Sequence, residues 1–98
     1  MRVRFRDGGL EELERSPKAG GGYPPNVVRA FRKCMQAIRS ADDERVFRAM
    51  RSLHFEKLKG ARTHQRSMRL NDQWRLVIEF EGEASSKVVV IVGIEDYH

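Results

Sequence analysis

The sequence predicts an α+β domain in which N-terminal helices pack on one face of a small, mostly antiparallel sheet. Three observations predict it. Between Pro25 and Ser40, Val27, Phe31, Cys34, Met35 and Ile38 recur at three- and four-residue spacing, the period of a helix that buries one side. After Gly60 the period falls to two, with Trp74, Leu76, Ile78 and Phe80 alternating with Arg75, Val77 and Glu79 as they would on a strand. The order is strand, helices, then three strands, so helices and strands are segregated along the chain. Ninety-eight residues suffice for one compact domain, residues 1–98, with a single core, and are too few for an enclosed cofactor cavity. No cofactor is expected.

Arg2-Val3-Arg4-Phe5-Arg6 alternates, which predicts a short edge strand burying Val3 and Phe5 with its arginines in water. Asp7 is placed to cap a short helix carrying Leu10 and Leu13, with Glu11 and Glu12 near its positive end, and Ser16-Pro17 stops it. Lys18 to Pro25 reads as a flexible connection whose glycines lack the Gly-Lys-Ser/Thr ending of a phosphate loop. After the long helix, Ser40 and Asp43 suggest a capping box for a second helical piece with Val46, Phe47 and Met50 on its apolar face, ending near Leu53. Met68 and Leu70 share one strand, and Asn71-Asp72-Gln73 turns the chain into the strand from Trp74 to Phe80. Glu81 to Ser86 forms the next turn. Val88 to Val92 is apolar throughout, as suits a central strand covered on both faces.

Nineteen Lys and Arg against fourteen Asp and Glu give a net charge of +5, which suits a polyanion or an acidic protein as partner. The longest apolar run is strand-sized, so no membrane association is expected. Met1 to Arg6 has no apolar segment behind its positive charge, and the single Cys34 excludes an internal disulfide framework. Both features point to the cytoplasm. Cys34 lies on the buried helix stripe and reads as a small core hydrophobe. His54 and His64 lack companions at ligand spacing, so no metal site is expected.

The alternation that turns Trp74 inward sets Arg75 on the opposite face, with Ser67 and Arg69 beside it on the preceding strand. Lys57, Lys59, Arg62, His64 and Arg66 come just before, a dense basic segment of the kind that contacts phosphates. The chain closes on Glu95-Asp96-Tyr97-His98, which offers a carboxylate, a ring able to stack on a base and an imidazole titrating near neutrality. RNA cleavage without a metal needs the 2′-hydroxyl deprotonated, the leaving 5′-oxygen protonated and the phosphate charge offset by cations. Histidine suits either proton transfer, and Asp96 can orient it or act as base.

Leu58-Lys59-Gly60, Arg62, the run Ser67 to Leu76 and the closing Asp96-Tyr97-His98 together resemble the HigB-type branch of the RelE/ParE toxin superfamily. The likeness is strong over residues 53–98, while the first fifty agree in helical pattern and length. The resemblance implies a RelE-like fold and a ribosome-dependent messenger-RNA endonuclease. It also implies a helix-turn-helix antitoxin of the HigA type as partner, with operator DNA reached only through that antitoxin. By motif, His98, Asp96 and Tyr97 would be active-site residues. Lys59, Arg62, Arg69 and Arg75, with Lys57 behind them, would contact phosphate. Glu56 stands where some members carry a histidine, which leaves His54 and His64 as two candidates for that role. Ala61, His64 and Arg66 depart from the family's usual acid, glycine and aromatic. The competing readings are a non-enzymatic, ParE-like inhibitor of DNA gyrase and a basic nucleic-acid-binding module.

Overall fold

In the computed structural model, which describes residues 1–16, 18–83 and 86–96, the N-terminal alternation forms strand β1 (Arg2–Phe5). Val3 and Phe5 pack against the core while Arg2 and Arg4 stay exposed. Helix α1 (Gly8–Arg15) starts at Asp7, whose side chain accepts a hydrogen bond from the Gly9 amide at 2.8 Å, as the sequence predicts. Helix α2 (Pro25–Ser40) opens on proline, whose missing N–H costs nothing in the first turn. Its Arg32 donates to the carbonyls of Leu13 and Ser16 at the end of α1, at 3.0 and 2.6 Å, and to that of Ala19 in the connection at 3.1 Å, satisfying groups without helical partners. The predicted stop at Ser16-Pro17 and the turn from Glu81 to Ser86 include Pro17, Ala84 and Ser85, which lie outside the described residues, as do Tyr97 and His98.

One expected cap does not form. Ser40 is the last residue of α2 and its hydroxyl turns back to the Gln36 and Ala37 carbonyls. Helix α3 (Arg45–Ala49) begins at Glu44, and Asp43 instead accepts from the Arg45 backbone and guanidinium. That pairing holds the Asp43 carboxyl down at about 2. A single 3-10 turn, Arg51–Leu53, follows, so the second helical piece is shorter and more broken than a capping box would give.

The remaining strands are β2 (Glu56–Lys57), β3 (Gln65–Arg69), β4 (Trp74–Glu81) and β5 (Val88–Asp96). They form one sheet in the order β1-β5-β4-β3-β2, with β1 parallel to β5 and every other pair antiparallel. β1 is an edge, as expected, and β2 is a second edge too short to show a period in the sequence. Leu70 falls just past β3 but still packs on the core. In the turn to β4, the Asn71 side-chain oxygen accepts from the Gln73 and Trp74 amides, both at 2.8 Å. After β4, Gly82 has φ +83°, and a Cβ there would lie 2.9 Å from the Ser86 carbonyl oxygen, so only glycine fits.

Leu10, Leu13, Phe31, Met35, Ile38 and Phe47 from the helices meet Met68, Leu76, Ile78, Val89 and Ile91 from the sheet in one buried cluster. Cys34 belongs to it, with its sulfur 3.5 Å from that of Met68, and burial pushes its thiol up to about 12, which makes it inert as a nucleophile. The second face has no helices on it among the described residues. Val77 and Val90 are fully buried there, and Gln65 and Ser67, which share the face, are buried beside them.

A β-bulge decides what that second face presents. Ile78 pairs with Ile91 but Val77 pairs with Gly93, which leaves Val92 without a partner. Paired residues share a face, so Ile91 and Ile94 both turn towards the helices although they are an odd number of positions, three, apart. Beyond the bulge, Glu95 lies across from Arg75 on the second face and Asp96 across from Trp74 on the helix side.

Candidate functional site

The second face, at the end where β3 turns into β4, holds a cavity of about 290 Å³. Ser67 and Arg69 of β3 and Arg75 of β4 form its floor, the three residues that strand alternation assigns to this face. Glu56 of β2, in register with Ser67, adds a carboxylate. Asn71, Asp72 and Trp74 close the turn end, and His54 stands opposite. The volume is near the lower end of the roughly 300–1,000 Å³ usual for ligand pockets, enough for one nucleotide-sized group.

His54 is held there by its backbone. With φ +44° it is the left-handed residue other than glycine among those described, a conformation that costs a non-glycine residue roughly 1–3 kcal/mol. Its Nε2 lies 3.5 Å from an Arg69 guanidinium nitrogen. Arg69 also pairs with Asp72 and donates to the Asn71 carbonyl at 3.3 Å. Because the Asn71 oxygen is engaged in the turn, its amide NH₂ is what it can offer a ligand. Trp74 is half-buried, meets Tyr23 edge-on at 5.8 Å and lines the cavity as well, so it links a ring packed on the core to the site.

The basic face predicted from the arginines is real but is interleaved with acids. Glu95 accepts from Arg62 at 2.5 and 3.0 Å and from Arg75 at 3.3 Å. Arg62 also donates to Gln65 at 2.8 Å, Gln65 donates to Glu79 at 2.7 Å, and Glu79 accepts from Arg6 at 2.6 and 3.1 Å. One polar chain thus runs across the sheet from Arg6 to Arg75. His64 lies 3.5 Å from Glu79, at the far part of this chain and away from the cavity. Of the two histidine candidates, the cavity contains His54. Lys57 pairs with Arg66 and so turns to the opposite face from Ser67, and both Lys57 and Lys59 are exposed and stand apart from the cavity lining. Asp96, exposed at the end of β5, accepts from Gln73 at 3.1 Å.

Hydrogen bonds from Arg62 above all lower the Glu95 carboxyl, and those from Arg6 and Gln65 lower that of Glu79. Both are more acidic in the fold than the ordinary value of 4.5, so their stabilising contribution is complete above that pH and is lost as pH falls through their lowered folded values. The melting temperature is therefore expected to fall as the medium is taken below about pH 4.5, and the fall should be smaller in the double variant Glu79→Gln, Glu95→Gln. An equal acid-induced fall in both proteins, followed by circular dichroism, would remove these two groups as its cause.

A sequence model of the RelE-like toxin of the type II toxin-antitoxin system HigB matches residues 3–98. The chain belongs to this HigB-like toxin family. The toxin's fold is also that of a solved structure, the YoeB/ParE toxin from Agrobacterium tumefaciens, with a TM-score of 0.63 over 100% of both chains. At 15% identity that likeness speaks for the RelE-like fold alone. A search of curated protein sequences finds no match. As a toxin of a type II system, the protein has an antitoxin as its partner class. Among the described residues, no helix is long and apolar enough to cross a membrane.

Sequence reasoning missed Glu56 and Glu95 as site residues. Glu56 stands at the place where, by the resemblance in sequence, some similar toxins carry a histidine, and that place in the motif was the available signal. For Glu95 the face depends on the bulge at Val92, and the neighbouring Gly93 was the one hint of it.

Proposed function

We propose that this toxin is an endoribonuclease that cuts messenger RNA on translating ribosomes, by attack of the 2′-hydroxyl on the adjacent phosphate with side chains as general acid and base and no metal. The observation that carries the reading is the cleft itself. In a toxin of this family, a nucleotide-sized cavity brings His54 and Glu56, which can move protons, beside Arg69 and Arg75, which can offset phosphate charge. Trp74 puts an aromatic ring at the same place. His98 and Asp96 share the proton transfers and Tyr97 stacks on a base, as the family motif implies. Lys59 and Arg62 extend phosphate contact along the strand of RNA. The ribosome supplies the alignment of hydroxyl and phosphate that so small a site lacks, and a HigA-like helix-turn-helix antitoxin silences the toxin and alone brings it to operator DNA.

The test is a defined messenger RNA incubated with the toxin, with and without translating ribosomes, and its cut ends mapped. Cuts that require ribosomes and leave a 2′,3′-cyclic phosphate are expected. Intact RNA together with inhibited DNA supercoiling would replace this reading with the non-enzymatic, ParE-like one.

A further inference from the structure

We propose that Glu95 is a built-in competitor of RNA phosphate, a carboxylate of the toxin's own that occupies the two guanidinium groups Arg62 and Arg75 until a phosphate displaces it. The inference rests on the reading of the toxin as an RNA-acting protein and adds a residue that sets how tightly RNA is held. Three observations carry it. Glu95 takes two parallel bonds from Arg62, at 2.5 and 3.0 Å, the geometry in which arginine also grips a phosphate, and a third from Arg75 at 3.3 Å. Arg75 lines the cavity, so the carboxylate is bound to a cation of the proposed site. The group is also accessible: the side chains of Arg62, Arg75 and Glu95 are 39, 20 and 34% exposed, so an incoming anion can reach them without unfolding the sheet.

The local chain explains why the competitor is there. Without the bulge at Val92, strand alternation would carry Glu95 to the helix side and Asp96 to the arginines. With it, Glu95 is set across from Arg75, and Gln65 steadies Arg62 at 2.8 Å from the other side. The pairing keeps both arginines ordered and partly neutralised, which weakens their pull on any passing polyanion and leaves the cost of displacement to a phosphate presented in the right place.

Binding of a fluorescent 2′-O-methyl RNA, which cannot be cleaved by 2′-hydroxyl attack, is measured by anisotropy over a range of salt. Glu95→Gln is expected to bind about 3- to 10-fold more tightly than wild type, and its salt slope to steepen by about 0.7 to 1.4 as one or two further phosphate contacts form. Glu95→Asp, which keeps the charge but shortens its reach, should fall between, and it serves if the glutamine variant is not folded. A purely structural Glu95 would weaken binding or leave it unchanged, and either result in a folded variant overturns the proposal. Cleavage by wild type with no tightening in Glu95→Gln would sink the competitor alone. Tighter, salt-steepened binding without ribosome-dependent cleavage by wild type would sink the nuclease reading and keep the competitor.

Discussion

Replacing His98 with alanine is expected to slow ribosome-dependent cleavage by about 100- to 10,000-fold, the loss typical of removing a general acid or base. The expectation comes from the family motif and from what the reaction demands. The 2′-hydroxyl has to lose a proton and the 5′-oxygen has to gain one, and an imidazole with an unperturbed pKa of about 6.5 is suited to either at neutral pH. The fold adds a connection: Asp96, the last described residue, pairs in register with Trp74, which lines the cleft. A single-turnover assay with mapped ends measures the effect, and antitoxin binding by the variant reports that the fold is intact. Cleavage at the wild-type rate would shift the proton transfers to His54 and Glu56, which line the cavity.

Legibility in the sequence followed the strength of each periodic signal. Helix α2 was readable because six of its residues bury one face, and β4 because Leu76 and Ile78 alternate inward over a long strand. Once β4 was in phase, its pairing with β3 put Arg69 and Arg75 on a common face, and register confirms them as direct partners. The second face could not be read so far in β5. An apolar run such as Val88 to Val92 has no alternation, so nothing in it tells which residues face which side. Gly93 was the local hint, since a glycine inside a strand often marks a bulge, but its consequence for Glu95 appears only with the pairing to β4. Positive charge counted along the chain likewise gave no measure of the face. Arg6, Arg62, Arg69 and Arg75 each have an acidic partner brought in from another strand or a turn.

The two faces of the sheet divide the work, and Phe31→Ala tests that division from the helix side. Phe31 is fully buried in the middle of α2, within the cluster that joins α1, α3, β3, β4 and β5. Truncating such a ring forfeits its transfer from water and leaves a cavity, together about 3–5 kcal/mol. Against a total stability of about 5–15 kcal/mol for a small domain, that is a large share. The expected result is a much lower midpoint of urea denaturation at an unchanged slope, since the loss is one of packing and not of compactness. Arg15→Ala, by contrast, removes an exposed, solvent-screened pair with Glu12 and should leave the denaturation midpoint essentially unchanged. Because Phe31 is separated from the cleft by the thickness of the sheet, the folded fraction of Phe31→Ala should cleave RNA at the wild-type rate per molecule in the cold. A rate that falls faster than the folded fraction would mean that packing under β3 and β4 also sets the positions of Arg69 and Arg75.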